Sequence, residues 1–126
     1  MIRWLFDAGA LIALDRNDRA MWARFALAHH KQIPIITHGA VVGQVWRKPP
    51  RQARLAQALR AIEVRPLDLE LGKLAGRILA TSRTADVVDA ALVALCRRGD
   101  RVYTSDPDDL HALATAAGLD VEVVMT

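Results

Sequence analysis

The sequence predicts an α/β fold of three layers, with helices on both faces of a central, mainly parallel sheet of four to five strands. Two observations predict it. Short apolar runs alternate with helical stretches along the whole chain, and that alternation builds parallel sheets. The first strand candidate, Ile2 to Phe6, is a short apolar run, as a strand covered on both faces is. At 126 residues the chain is long enough for one domain, spanning 1–126, and too short for two. Its 52% hydrophobic and 25% charged residues exclude disorder. Three Trp, two Phe and one Tyr leave the core to aliphatic side chains.

The elements follow in order. Ile2-Arg-Trp-Leu-Phe6 is too short for a helix and reads as a buried strand ending at Asp7. Ala8 to Leu14 is the first helix, and Asp18 caps a second through Met21 to Ala28. Ile33 to Ile36 is the next strand, after which Thr37 caps a helix carrying Val41, Val42, Val45 and Trp46. Pro49-Pro50 breaks that helix, and Arg51 to Leu59 restarts one. Ile62 to Leu67 is a strand, and Asp68 caps a helix to about Ala80. Val87 to Leu95 is an apolar helix with Gly99 as its C-cap. Arg101 to Thr104 is a strand. A helix from Asp106 or Asp108 runs to Ala117 and stops at Gly118, and Val121 to Val124 is the last strand.

The lone Cys96 excludes an internal disulfide or a Cys-rich zinc module, and suits a reducing, cytoplasmic setting. No apolar run reaches the ~18 residues of a bilayer span, and Asp7 interrupts the N-terminal run too early for a signal peptide. Seventeen Lys plus Arg against fourteen Asp plus Glu give a net charge of +3. Only Lys31, Lys48 and Lys73 are lysines, so the basic surface is mostly guanidinium, which suits phosphate.

Asp7 and Asp106 each follow a strand directly, where open parallel sheets place their ligands. Asp86 and Asp89 are three apart at a helix start and share a face. Each acid also has an ordinary reading, as a complement to the helix dipole or an N-cap. Together they point elsewhere. Two unit charges ~4 Å apart repel by about 4 kcal/mol at an effective dielectric of 20, so converging acids call for a cation. An all-oxygen set favours Mg²⁺ or Mn²⁺ over zinc.

Four segments carry a resemblance. Leu5-Phe-Asp-Ala-Gly-Ala-Leu-Ile-Ala-Leu14, Val41-Val-Gly-Gln-Val-Trp-Arg47, Asp86-Val-Val-Asp-Ala-Ala-Leu-Val-Ala94 and Tyr103-Thr-Ser-Asp-Pro-Asp-Asp-Leu110 resemble, in order, the motifs of PIN-domain ribonucleases, VapC-type toxins above all. The resemblance implies a PIN-like fold and an Mg²⁺- or Mn²⁺-dependent endoribonuclease acting on RNA phosphodiesters. By position it makes Asp7, Asp89 and Asp106 metal-binding and catalytic. It gives Asp86 a supporting role and makes Thr104 and Ser105 hydroxyls that help hold water at the metal. It also implies a small antitoxin partner and a homodimer.

One position departs from the pattern. Where such proteins usually carry Glu in the second motif, this chain has Gln44, an oxygen ligand without the charge. Fewer charges hold a second ion less tightly, and Asp86 partly compensates. The alternative is a weakened PIN-like module that binds RNA or a partner without cutting. A phospho-accepting receiver domain shares the alternation, but wants adjacent acids after the first strand; here Ala8-Gly9 follows Asp7 and Lys73 is mid-helix. Arg47, Lys48, Arg51 and Arg54 form either a rim that steers RNA phosphates or a solvated helix face. Arg97, Arg98 and Arg101 read as cations at a helix C-terminus. His29, His30, His38 and His111 read as surface or cap residues, Cys96 as core, and Trp22 with Phe25 as core or a dimer seam.

Overall fold

In chain order the elements are β1 (Trp4–Phe6), α1 (Ala8–Asp15), α2 (Arg19–His30), β2 (Ile35–His38), α3 (Gly39–Val45), α4 (Ala53–Leu59) and β3 (Glu63–Arg65). After them come α5 (Leu69–Thr81), α6 (Val87–Leu95), β4 (Arg101–Thr104), α7 (Pro107–Ala117) and β5 (Glu122–Met125). They belong to a computed structural model that describes residues 2–126; Met1, where the expected domain and the signal-peptide reading begin, lies outside the described residues. Among those residues the strands form one five-stranded sheet, ordered β3-β2-β1-β4-β5, with every neighbouring pair parallel.

Strand alternation builds the layers. Trp4, Phe6, Ile35 and Tyr103 face one core with residues of α1, α2, α3 and α4. Leu5, Ile36 and Val102 face the other with α5, α6 and α7. The result is the expected α/β/α sandwich. Trp22 and Phe25 meet edge to face at 5.3 Å and pack on the first core. Cys96 is buried in the second. No helix among the described residues is long and apolar enough to cross a membrane.

Local chemistry fixes most boundaries. The Asp18 and Asp68 carboxylates accept from the Met21 and Leu71 amides, and Gly118 closes α7 at φ +66°. Several expectations need correction. Pro34 has no N–H to give, so β2 opens at Ile35, two residues late, with the Pro34 carbonyl accepting from the Trp4 amide. His38, not Thr37, caps α3; the Thr37 hydroxyl donates to the Phe6 carbonyl from within β2. Trp46 is the C-cap of α3, and Pro49–Arg51 form a 3₁₀ turn before α4. Only Glu63–Arg65 pair as the edge strand, because Pro66 follows. Cys96 caps α6, while Gly99, at φ +87°, turns the chain into β4. Arg97 and Arg98 are exposed beyond α6, but Arg101 lies in β4 and pairs with Glu122 at 2.9 Å.

Gln52 secures the α3–α4 connection. Its buried amide oxygen accepts from the Arg47 and Lys48 amides, and its nitrogen donates to the Val45 carbonyl.

Candidate active site

The strand order reverses between β1 and β4, because the chain builds outwards from β1 to β3 on one side and from β4 to β5 on the other. The crevice beyond the carboxyl ends of two such strands is where parallel sheets bind ligands. Asp7 follows β1 there, and Asp106 lies two residues beyond β4.

Asp7 is only 4% exposed. Its amide donates to the Tyr103 carbonyl, locking it against β4, and its carboxylate accepts from the Ala10 amide at 2.9 Å as the N-cap of α1. Burial raises its pKa above the usual carboxylate range, against hydrogen bonds from the Thr104 hydroxyl and the Ala10, Ser105 and Gly9 amides. Thr104 is fully buried and its hydroxyl oxygen accepts from the Asp106 amide at 2.8 Å. One hydroxyl therefore ties the first acid to the last.

Asp86 caps α6, accepting from the Val88 and Asp89 amides at 2.9 and 3.1 Å. Asp89, half-buried in the first turn, is pushed up to about 7, chiefly by burial and then by the charges of Asp86, Asp7 and Asp106 and a hydrogen bond with Asp86. Asp106 caps α7 through the Asp109 amide at 3.5 Å. Asp109 is raised in turn by its hydrogen bond with Asp106 and by the charges of Asp106, Asp108 and Asp86. Sequence reasoning considered Asp108 only as a helix start and overlooked Asp109; both extend the acidic rim.

The structure thus brings Asp7, Asp86, Asp89 and Asp106 into one electrostatic field, with Thr104 and Ser105 beside them. Each acid except Asp89 also caps a helix, so the ordinary reading holds for those three. Among the described residues none of the three ion pairs involves these acids; those pairs are Arg3–Asp100, Arg65–Glu63 and Arg101–Glu122. Nor do any three Asp, Glu, His or Cys side chains among them stand close enough together to hold a metal ion as they are placed. The donors are hard oxygens with uncompensated charge, which fits Mg²⁺ or Mn²⁺ in kind. They hold one another's fields rather than a preformed coordination shell.

Gln44 is exposed on α3, and no hydrogen bond among the described residues links it to the acids. Arg47, Lys48, Arg51 and Arg54 are all exposed, and the Arg47 guanidinium folds back on the Gly43 and Trp46 carbonyls at 2.8 and 2.7 Å. An open cleft of about 350 Å³, lined by Gly9, Ile12, Ala13, Arg16, Asp18 and Ser105, adjoins the acids. A hollow of about 390 Å³ lies away from them, at the far ends of α6 and α7.

Two further residues do more than the sequence reading gave them. A Cβ at Gly9 would overlap the Ser105 hydroxyl and come within 2.6 Å of the Ser105 Cβ and 3.0 Å of its backbone nitrogen. The close approach of α1 to the β4–α7 loop therefore requires glycine, and the small-residue run Ala8-Gly-Ala10 was its one signal. Gly9→Ala is expected to shift Ser105 and destabilise the fold by about 1–3 kcal/mol, read as a lower urea midpoint. A midpoint equal to the native one would mean that the loop has slack. The second residue is His38, expected at the surface or a cap. It is a cap, but wholly buried, and its Nε2 lies 2.8 Å from the Val88 carbonyl oxygen.

The fold defines a class: a five-stranded, all-parallel α/β sandwich, with Asp7 and Asp106 beside its topological switch point. Neither a family model nor a curated protein matches the sequence. Among solved structures, the chain resembles one from VapBC2 of Rickettsia felis bound to a DNA fragment from their promoter. That match has a TM-score of 0.68 and 13% identity, and covers 98% of each chain. At this identity the likeness speaks for the fold.

Proposed function

We propose that this chain is a single-domain, toxin-like endoribonuclease dependent on Mg²⁺ or Mn²⁺, restrained by a small antitoxin protein. One observation carries the reading: Asp7 and Asp106 stand beyond the carboxyl ends of the adjacent strands β1 and β4, where the strand order reverses, and no cation is paired to them or to Asp86 and Asp89 among the described residues. The fold's likeness to a chain of a two-component complex supports a protein partner. Asp7, Asp89 and Asp106, with Asp86 in support, would hold the cation. When bound, such an ion lowers the pKa of water and offsets charge on a phosphodiester.

The chain's own groups have defined tasks. Thr104 accepts the Asp106 amide, which leaves its hydroxyl proton free for Asp7, so both acids stay oriented. Asp89, whose carboxyl is pushed up to about 7 chiefly by burial and then by the neighbouring acids, would have to be deprotonated to help hold the cation. Lys48, Arg51 and Arg54 steer RNA phosphates towards the acids, while Arg47 also caps α3.

The test is RNA cleavage with Mg²⁺ or Mn²⁺, with chelator, and in Asp7→Ala. Cutting that needs the metal and vanishes in the variant supports the reading; its absence overturns it. The exposed, unlinked Gln44 favours a second reading, a module that binds RNA or a partner without cutting. RNA binding unchanged by chelator would identify that module. Gln44→Glu is expected to raise Mn²⁺ affinity about tenfold by calorimetric titration, as a further charge strengthens an oxygen site. Unchanged affinity would place position 44 outside the set.

A further inference from the structure

His38 occupies a position where helix starts ordinarily place Ser, Thr, Asn or Asp. Its Nδ1 receives the Ala40 amide at 3.3 Å, as any of those side chains would manage. The other ring nitrogen does what none of them reaches. Nε2 lies 2.8 Å from the Val88 carbonyl oxygen, across the boundary between the two helical layers. An amide only donates and a carbonyl only accepts, so these partners require a neutral ring with its proton on Nε2. The ring is fully buried, and burial lowers its pKa, in keeping with the neutral form.

The Val88 carbonyl and the Asp89 amide belong to one peptide group. The carbonyl edge accepts from His38, and the N–H edge donates to the Asp86 carboxylate at 3.1 Å. The peptide plane from which the Asp89 side chain springs is therefore gripped on both sides. We infer that His38 is a positioning residue for the acidic site: its Nε2–H strap to the Val88 carbonyl fixes the start of α6, and hence the Asp89 carboxylate, relative to β2 and α3. The same imidazole starts the helix that carries Gln44, so two helices from opposite layers take their position from one ring. For the acids' role this rests on the function proposed above; the strap itself does not.

Two substitutions separate the ring's tasks. His38→Asn keeps an acceptor for the Ala40 amide but is too short to reach Val88. His38→Gln reaches the Val88 carbonyl and gives up the cap. In His38→Asn the first-turn amides of α6 are expected to exchange about fivefold faster, as the loss of one hydrogen bond implies. Its Mn²⁺ affinity is expected to fall about tenfold, the scale seen when a ligand loses its orienting partner. His38→Gln restores both while loosening α3. If His38→Asn matches the native chain in exchange and affinity, or His38→Gln does no better than His38→Asn, the inference is overturned. Should the native chain take up no Mn²⁺, the cation site falls and amide exchange alone judges the strap. If His38→Asn does not fold, the native imidazole NMR spectrum decides: a slowly exchanging Nε2 proton supports the strap, and an Nδ1–H tautomer refutes it.

Discussion

Asp89→Asn is expected to stabilise the metal-free chain while removing the RNA cleavage proposed for it. The native Asp89 carboxyl binds its proton more tightly than in the unfolded chain, at about 7 against 3.8. Its stabilising contribution is thus fully present below pH 3.8, declines as pH rises through that interval, and is gone above 7. Asparagine removes the half-buried charge and its repulsion from Asp86, Asp7 and Asp106, so the advantage of Asp89→Asn grows across the same interval and then levels off. Allowing for the partial exposure of the group, the gain is on the order of 1–2 kcal/mol at pH 8. Loss of the favourable carboxylate in the first turn of α6 takes back about 0.3–1 kcal/mol, which is the smaller effect. His38 acts in the opposite sense in both proteins, because its lowered pKa makes stability fall as pH drops below 6.5, and it cancels in the comparison. Asp7→Asn follows the same logic and keeps its cap, since asparagine caps helices as well as aspartate does. Each variant is expected to lose about a hundredfold or more in metal-dependent cleavage. Urea unfolding in chelator from pH 4 to 8 checks the stability half. An Asp89→Asn protein less stable than native at pH 8 would show that the four acids do not strain one another.

The elements that were legible in the sequence are those whose ends are written in local chemistry. Helix α7 could be bounded in advance because Asp106 caps it, Pro107 opens it without wasting an N–H, and Gly118 adopts the left-handed turn that ends it. Strand β4 was legible as Arg101 to Thr104, set between Gly99 and Ser105-Asp106. Boundaries set by a distant partner were not legible. The length of β3 depends on which residues find β2, and only three do. The same division holds at the site. Asp7 and Asp106 stood out because an acid after a strand has a place in this architecture. Their sharing of a field with Asp86 and Asp89 depends on a sheet order that no local pattern records. His38 was legible as a cap, but its burial was not, because nothing local to Thr37 and His38 records the Val88 carbonyl that the ring meets.

Asp100→Ala is expected to be among the most damaging single changes in the chain, at a place remote from the acids. Arg3 precedes β1 and Asp100 precedes β4, so in parallel strands they meet at the amino end of the sheet, opposite the candidate site. Asp100 is 1% exposed and Arg3 7%, and their closest contact is 2.6 Å. The carboxylate takes hydrogen bonds from the Arg3 amide, from Arg3 Nε and Nη2, and from the Arg97 amide at 2.7 Å. Truncation to Ala leaves a buried guanidinium with the Leu95 carbonyl as its remaining acceptor and frees two backbone amides. Breaking such a pair from one side costs about 3–5 kcal/mol, against a total stability of about 5–15 kcal/mol. Arg3→Met is expected to cost less, because the Asp100 carboxylate keeps both backbone amides and methionine fills the space left by the stem. Urea midpoints of the two variants give the comparison. An Arg3→Met protein as unstable as Asp100→Ala would mean that the charge pair itself, rather than the amides gathered on Asp100, joins the start of the chain to the turn before β4.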